Sequence, residues 1–254
     1  MSTPSPDGSP SREVGVQSFT YRAFDVDGFC EQLSETPITA VELCDVHVTP
    51  ESDERDVEAT LDRLAETDLD VCGYGVVTVD SPDGVDELLS FASRLGANYL
   101  SVEFSPDDDE TIETLCAAAD DYDLDLAIHN HGPDATYATV EDVTAVLDAH
   151  SHERLGACVD TGHYLRLGES PDEVIPALGD RVRALHLKDF LDEDTEAVPG
   201  QGQLDVGELL TLLTDHTELA QPLVVEYEAD PENPTPAVVE AVEEIRQAEV
   251  DRSD

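Results

Sequence analysis

The sequence predicts a single (β/α)8 barrel, on three observations. Eight short apolar runs recur along the 254 residues, acidic segments with helical spacing lie between them, and no break in composition divides residues 14–248. That length is ordinary for one such barrel and ample for one core.

The runs begin at residues 14, 38, 69, 97, 124, 155, 182 and 222. They read VGVQSF (14–19), ITAVELC (38–44), LDVCGYGVV (69–77), ANYLSVEF (97–104), LDLAIHNHG (124–132), LGACVDTGH (155–163), VRALHLKDF (182–190) and PLVVEYE (222–228). Near-continuous Val, Ile and Leu suit strands buried on both faces, as in parallel sheets. Helices are expected over 52–67, where Val57, Leu61 and Leu64 share a face, and over 84–95, where Val85, Leu88, Leu89 and Leu95 do. Further helices are expected over 110–121, 139–149, 171–178, 205–215 and 234–247. Asp or Ser often stands at their starts and suits the free N–H groups there. Gly96, Gly156 and Asp-rich turns are read as returns from helix to strand. The long gap before the eighth run holds EAVPGQGQLDV (196–206), a Gly/Pro-rich loop. An open doubly wound sheet is the other architecture considered; it calls for a glycine-rich phosphate loop after the first strand, which VGVQSFTYRAF lacks. Residues 1–13, rich in Ser and Pro, are expected to be a disordered leader, and 249–254 a frayed tail.

The formal net charge is −48, from 60 acidic against 12 basic side chains. Acidic disorder would need few apolar residues, whereas 40% of this chain is hydrophobic. A folded protein with an acidic, solvated skin is the better reading, and concentrated salt would screen its self-repulsion, which implies a halophilic host. The same surface argues against nucleic acid, which needs basic patches. Cys30, Cys44, Cys72, Cys116 and Cys158 form no C-x-x-C pair and are odd in number, as expected for reduced thiols in a cytoplasm. No apolar run approaches a membrane span.

Polar residues gather where the later strands end: His129 and His131 on the fifth, Asp160 and His163 on the sixth, His186 and Lys188 on the seventh, Glu226 and Glu228 on the eighth. Burying such groups apart would cost several kcal/mol each, so they are expected to work together. Carboxylate and imidazole make a ligand set for one divalent ion, Mn2+, Zn2+, Co2+ or Mg2+. Lys188 is the sole lysine of the chain, two residues after a histidine in an apolar strand. Glu42 and Glu103 could also face the pocket or support it from behind, and His47 could line the mouth, whereas His150, His152 and His216 read as surface.

HNHG (129–132), DTGH (160–163), HLKD (186–189) and VVEYE (224–228), in this order, resemble the sugar phosphate isomerase/epimerase superfamily, the xylose isomerase-like barrels. The strand-five histidines with DTGH and H-x-K-D resemble its inosose dehydratase-like branch, and GQGQLD (200–205) is similar to a G-x-G-x-x-D loop of that family. The resemblance implies one divalent metal held from strands five to eight, typically by Glu, Asp, His and Glu. Asp160, His186 and Glu226 match three of these, with Glu226 preferred to Glu228. His163 matches a histidine that contacts substrate, and Lys188 one that stabilises developing oxyanion charge. Strand five departs, with His129 where many epimerases carry a glutamate; either His129 or His131 would complete the ligands.

The activity implied is that of an isomerase or epimerase acting on a sugar, sugar phosphate or related polyol ketone through an enediolate. Glu226 would be the base, His129 or His131 the acid opposite, and His131 and His163 substrate contacts. Epimerases of this kind use two glutamates, so the histidine leaves open an inosose dehydratase-like lyase. A repair endonuclease on the same fold would need basic loops and further ligands from strands two and three, and a binding barrel would lack the metal. A carbohydrate partner is expected, with no nucleic acid and no membrane; a homo-oligomer is open.

Overall fold

A computed structural model describes residues 11–252. Among the described residues ten strands and nine α-helices follow in order: β1 (Val14–Gln17), α1 (Val26–Leu33), β2 (Ala40–Leu43), α2 (Glu54–Glu66), β3 (Asp70–Val79), α3 (Val85–Leu95), β4 (Tyr99–Phe104) and α4 (Asp109–Tyr122). The chain continues with β5 (Asp125–His129), α5 (Val140–Ala149), β6 (Leu155–Asp160), α6 (Thr161–Arg166), α7 (Pro171–Leu178) and β7 (Val182–Leu187). It ends with β8 (Asp189–Phe190), β9 (Glu196–Ala197), α8 (Val206–His216), β10 (Leu223–Val225) and α9 (Thr235–Asp251).

The strands β1 to β7 and β10 close into a parallel barrel in the order β1-β10-β7-β6-β5-β4-β3-β2, while β8 and β9 make a small antiparallel ribbon beside the mouth. All eight expected strands form, and the seven expected helices form within a few residues of their expected bounds. Two helices were not foreseen: α1, capped by the Asp25 side chain on the Gly28 N–H, and the six-residue α6, capped by Asp160 on the His163 N–H. Gly156 lies inside β6 rather than at a return; a Cβ there would stand 2.2 Å from the Arg181 carbonyl oxygen. Gly96 does end α3, with φ +89.

Residues 1–10 of the expected leader lie outside the described residues. Arg12, at its end, is tied down: its N–H donates to Glu249 Oε1 at 2.8 Å and its carbonyl accepts from Arg246. Helix α9 continues through Asp251, into the segment expected to fray. Among the described residues no helix is long and apolar enough to cross a membrane.

Strand alternation explains where the polar residues go, because every second residue faces the lumen. Ala40, Cys72, Tyr99, Ala127, Cys158, Ala184 and Val224 pack as one inner layer. Most are small, and the Tyr99 ring fills the space they leave; a Cβ on Gly73 would come within 2.4 Å of that ring. Two residues further along β2, β5, β6 and β7, and just past β10, stand Glu42, His129, Asp160, His186 and Glu226. The polar layer is thus stacked on the packed one, at the C-terminal end of the barrel.

Candidate functional site

Backbone register sets the centre. Asp160 pairs with His186 across β6 and β7, His129 pairs with Cys158, and the Glu226 N–H donates to the Leu187 carbonyl at 3.1 Å. His129, Asp160 and His186 are 0–1% exposed and Glu226 7%. One ligand atom from each of the four lies within 4.8 Å of those of the others. His186 Nδ1 is 3.0 Å from His129 Nε2 and 3.1 Å from Glu226 Oε2, and Asp160 Oδ2 is 3.9 Å from His129 Nε2. Asp160 Oδ2 and His129 Nδ1 are buried with no hydrogen-bond partner, a costly condition for polar atoms. A divalent cation fits this set: two imidazoles, two carboxylates, and a carboxylate oxygen aimed inward with nothing to accept.

The charges are unevenly shared. Burial would raise Glu226, but Lys188 and His186 overcome it and hold the carboxyl well below its usual range. Burial wins for Asp160, which is pushed up to about 7 despite Lys188. Burial drives His129 well below an ordinary histidine and His163 down to about 3, the latter helped by Lys188. Lys188 is 2% exposed; burial would lower it, but Glu226, Asp160 and Glu228 outweigh that and keep the ammonium charged. Its Nζ is bonded to Glu228 and stands 3.7 Å from Glu226. The two carboxylates that follow β10 are therefore distinct: Glu226 joins the buried centre, and Glu228 sits at the rim against Lys188.

His131 is outside the four but packs on His129, with ring centroids 4.5 Å apart. Its Nδ1 is 2.6 Å from Glu103 Oε1, and both side chains are partly open to solvent. Burial would lower His131, but the Glu103 hydrogen bond raises it above the ordinary histidine value. His163 places Nε2 3.8 Å from Asp160 Oδ2. A cavity of about 410 Å³ opens over this group, lined by Gln17, Glu103, His131, His163, Glu226 and Glu228 among others. A larger opening of about 630 Å³ lies at the other end of the barrel, among Leu61, Leu64, Leu95 and Pro222, and holds none of these groups.

Several residues were missed or left undecided by sequence reasoning. Glu42 is wholly buried and contacts His186 Nε2 at 2.8 Å. Gln17 and Tyr99 both bond Glu42; a polar residue inside each of two apolar runs was the available signal. Glu196 of β9 accepts the Glu228 N–H, and burial pushes its carboxyl up to about 7. Asp189, the last residue of HLKD, accepts from the N–H groups of Phe190, Gly200, Gly202, Gln203 and Leu204, so it folds the GQGQL loop. His47 packs edge-on against Phe29 and stays out of the site, while His150 and His152 pair with surface aspartates. All five cysteines are buried and free.

The family described as xylose isomerase-like TIM barrel matches residues 30–248. Over 172 residues the chain is 28% identical to the 3-oxo-isoapionate decarboxylase of Pectobacterium atrosepticum, covering 63% of this chain and 59% of that protein. Over 158 residues it is 27% identical to an inosose dehydratase of Clostridium perfringens, covering 54% and 52%. The chain thus spans little more than half the length of these curated relatives. A crystal structure described as IOLI protein with a binding zinc atom superposes with a TM-score of 0.75 at 13% identity, covering 95% of this chain and 99% of that one. At that identity the likeness is one of fold.

Proposed function

Because the chain belongs to the xylose isomerase-like TIM barrel family, we propose that it is a metal-dependent isomerase or epimerase of a neutral, polyhydroxylated ketone. The observation that carries the reading is the buried quartet His129, Asp160, His186 and Glu226, with an unpartnered carboxylate oxygen pointing into it. These four would hold the ion. When bound, a divalent cation supplies Lewis acidity that lowers the cost of charge developing on a substrate carbonyl.

The chain's own groups do the rest. Glu226, kept ionised by Lys188 and His186, takes the proton from the carbon next to the carbonyl. The C–H electron pair becomes the enediolate double bond and charge passes to oxygen. Lys188, dry and cationic, lies outside the cavity lining and acts through Glu226, 3.7 Å from its Nζ. His131 lines the same cavity with Nδ1 committed to Glu103, and its Nε2 would deliver the proton. Delivery to the same carbon from the other side gives the epimer, and delivery to its neighbour gives the isomer.

Neutral substrates are favoured over phosphates because no lysine or arginine is among the residues lining the cavity. Arg22 is spent on the Phe19 and Glu228 carbonyls and the Phe19 ring, and Arg166 on the Glu193 carbonyl and the Phe190 ring. Dehydration is a second reading, favoured by the His131–Glu103 pair: a protonated imidazole suits the departure of a β-hydroxyl as well as the return of a proton.

The test is metal analysis together with hydrogen–deuterium exchange at the α-carbon of ketoses and inososes, in concentrated salt. Wild type should carry one divalent ion and exchange; Asp160→Ala and Glu226→Ala should lose both. Retention of both by either variant overturns the reading. Appearance of an enone absorbance would select dehydration.

A further inference from the structure

The carboxylate of Glu42 has no role in the steps above, yet it lies at the centre of the barrel. It is 0% exposed, on β2, across the lumen from His186 on β7. A buried carboxylate is costly unless every lone pair finds a donor. Here Gln17 Nε2 donates to Oε1 at 3.1 Å and the Tyr99 hydroxyl to Oε2 at 2.5 Å. The Gln17 amide is itself oriented, because Nε2 also donates to the Gly75 carbonyl at 2.9 Å. Three strands thus fix one acceptor, and the remaining contact is His186 Nε2, 2.8 Å from Oε2.

The direction of that last hydrogen bond follows. An imidazole that coordinates a metal through one nitrogen keeps its hydrogen on the other, and His186 Nε2 has Glu42 Oε2 2.8 Å away to receive it. Its other nitrogen, Nδ1, is the atom that faces His129 Nε2 and Glu226 Oε2. We infer that Glu42, held by Gln17 and Tyr99, is a positioning residue that keeps the proton of His186 on Nε2 and so presents the Nδ1 lone pair to the metal. The inference rests on the metal-centre reading above. Histidine ligands need such an orienting acceptor behind them, since a ring free to turn or to swap its proton is a weaker donor. Cys158 also lies beside His186, but burial raises its thiol, and a neutral thiol is a poor acceptor.

Glu42→Gln would keep shape and volume while offering His186 Nε2 an amide that can donate. The Nε2 hydrogen would then be opposed and the proton drawn to Nδ1, where it competes with the metal. Zn2+ is the probe, titrated against a competing chelator into wild type, Glu42→Gln, Tyr99→Phe and Asp160→Ala at 2 M salt, about the concentration at which surface charge is fully screened. Glu42→Gln should weaken zinc by about 10–100-fold. Tyr99→Phe, which leaves the Gln17 and His186 contacts, should weaken it several-fold less. In zinc-loaded wild type with 15N-labelled histidine, long-range 1H–15N spectra should show His186 protonated on Nε2.

Two results would overturn the inference: zinc bound by Glu42→Gln as tightly as by wild type, or a His186 proton found on Nδ1 of the loaded protein. The spectrum needs no variant, so a misfolded Glu42→Gln leaves the test intact. If wild type binds no zinc, or Asp160→Ala binds it equally, the metal centre itself fails and the inference falls with it. Wild-type binding that Asp160→Ala loses and Glu42→Gln keeps sinks the inference alone.

Discussion

On the proposed activity, His131 and Glu103 supply the proton that complements Glu226, since both line the cavity and are partly open to solvent. Their 2.6 Å contact raises His131, and the consequence for pH has a definite sign. A histidine whose folded pKa is raised contributes stability that is fully present below its unfolded pKa of about 6.5 and lost as pH rises through the folded value. Glu103→Gln should therefore cost most stability in acid and little in alkali, with the His131 titration moving down in NMR. A His131 titration unchanged in Glu103→Gln would refute the pairing. On the proposed activity, His131→Ala should lower kcat by about 10²-fold or more, as removal of an acid does. Glu196 has the same sign. Burial raises its carboxyl to about 7, so between an unfolded value near 4.3 and that point the folded state binds more protons, and stability falls as pH rises. Glu196→Gln should flatten that slope in chemical denaturation at pH 5 and pH 8. The sequence revealed which residue types end each strand, but strand pattern left Glu226 and Glu228 equal and only the family resemblance preferred Glu226. Both have the same strand parity, and the difference arises only from β10 stopping at Val225 while Lys188 reaches out to Glu228.

Single elements were legible in proportion to their length and repetition. Buried strands announce themselves as apolar runs, and helices such as α2 and α3 as apolar faces over three turns. Helix α6 has six residues, too few for a period of 3.6 to repeat, and its N-terminal turn is also the DTGH segment. Gly162 in that turn packs against Lys188 and Phe190, where an added Cβ would come within 2.9 Å. Helix α1 did carry a signal, Asp25 followed by Phe29, Cys30 and Leu33 at helical spacing, in a segment without any strand. The GQGQL loop shows how one side chain can specify an element. Asp189 is fully buried and gathers five backbone N–H groups, a number no neutral residue can satisfy. Asp189→Ala should destabilise the protein by about 3–5 kcal/mol, since orphaned buried donors cost more than the bonds they made. Urea titration measures this, and protease cleavage between residues 198 and 205 should accelerate. An unchanged midpoint would mean that the loop is held by something else.

For the molecule as a whole, the net charge of −48 separates two environments that answer differently to salt. The outer surface concentrates like charge at short range, and its few cations are heavily shared: Arg154 alone meets Asp120 at 3.4 Å, Asp125 at 3.7 Å and Asp123. Interactions of this kind are screened over a Debye length of about 3 Å at 1 M salt and about 10 Å at 0.1 M. The centre around His186 is dry, and bulk ions do not reach between groups 3.0 Å apart. Dilution from 2 M to 0.1 M sodium chloride should therefore lower Tm by roughly 10 °C, or about 3 kcal/mol at 2–4 °C per kcal/mol for a chain of this size. The affinity of the still-folded protein for Zn2+ should change by less than about threefold over the same range, because screening acts outside the barrel. Both are read in one salt series, Tm by scanning calorimetry and zinc by chelator competition below the transition. A Tm independent of salt would remove the halophilic reading. A zinc affinity that fell in step with Tm would mean that the acidic skin and the site are one electrostatic system, and that the dry interior does not insulate the ligands as its burial implies.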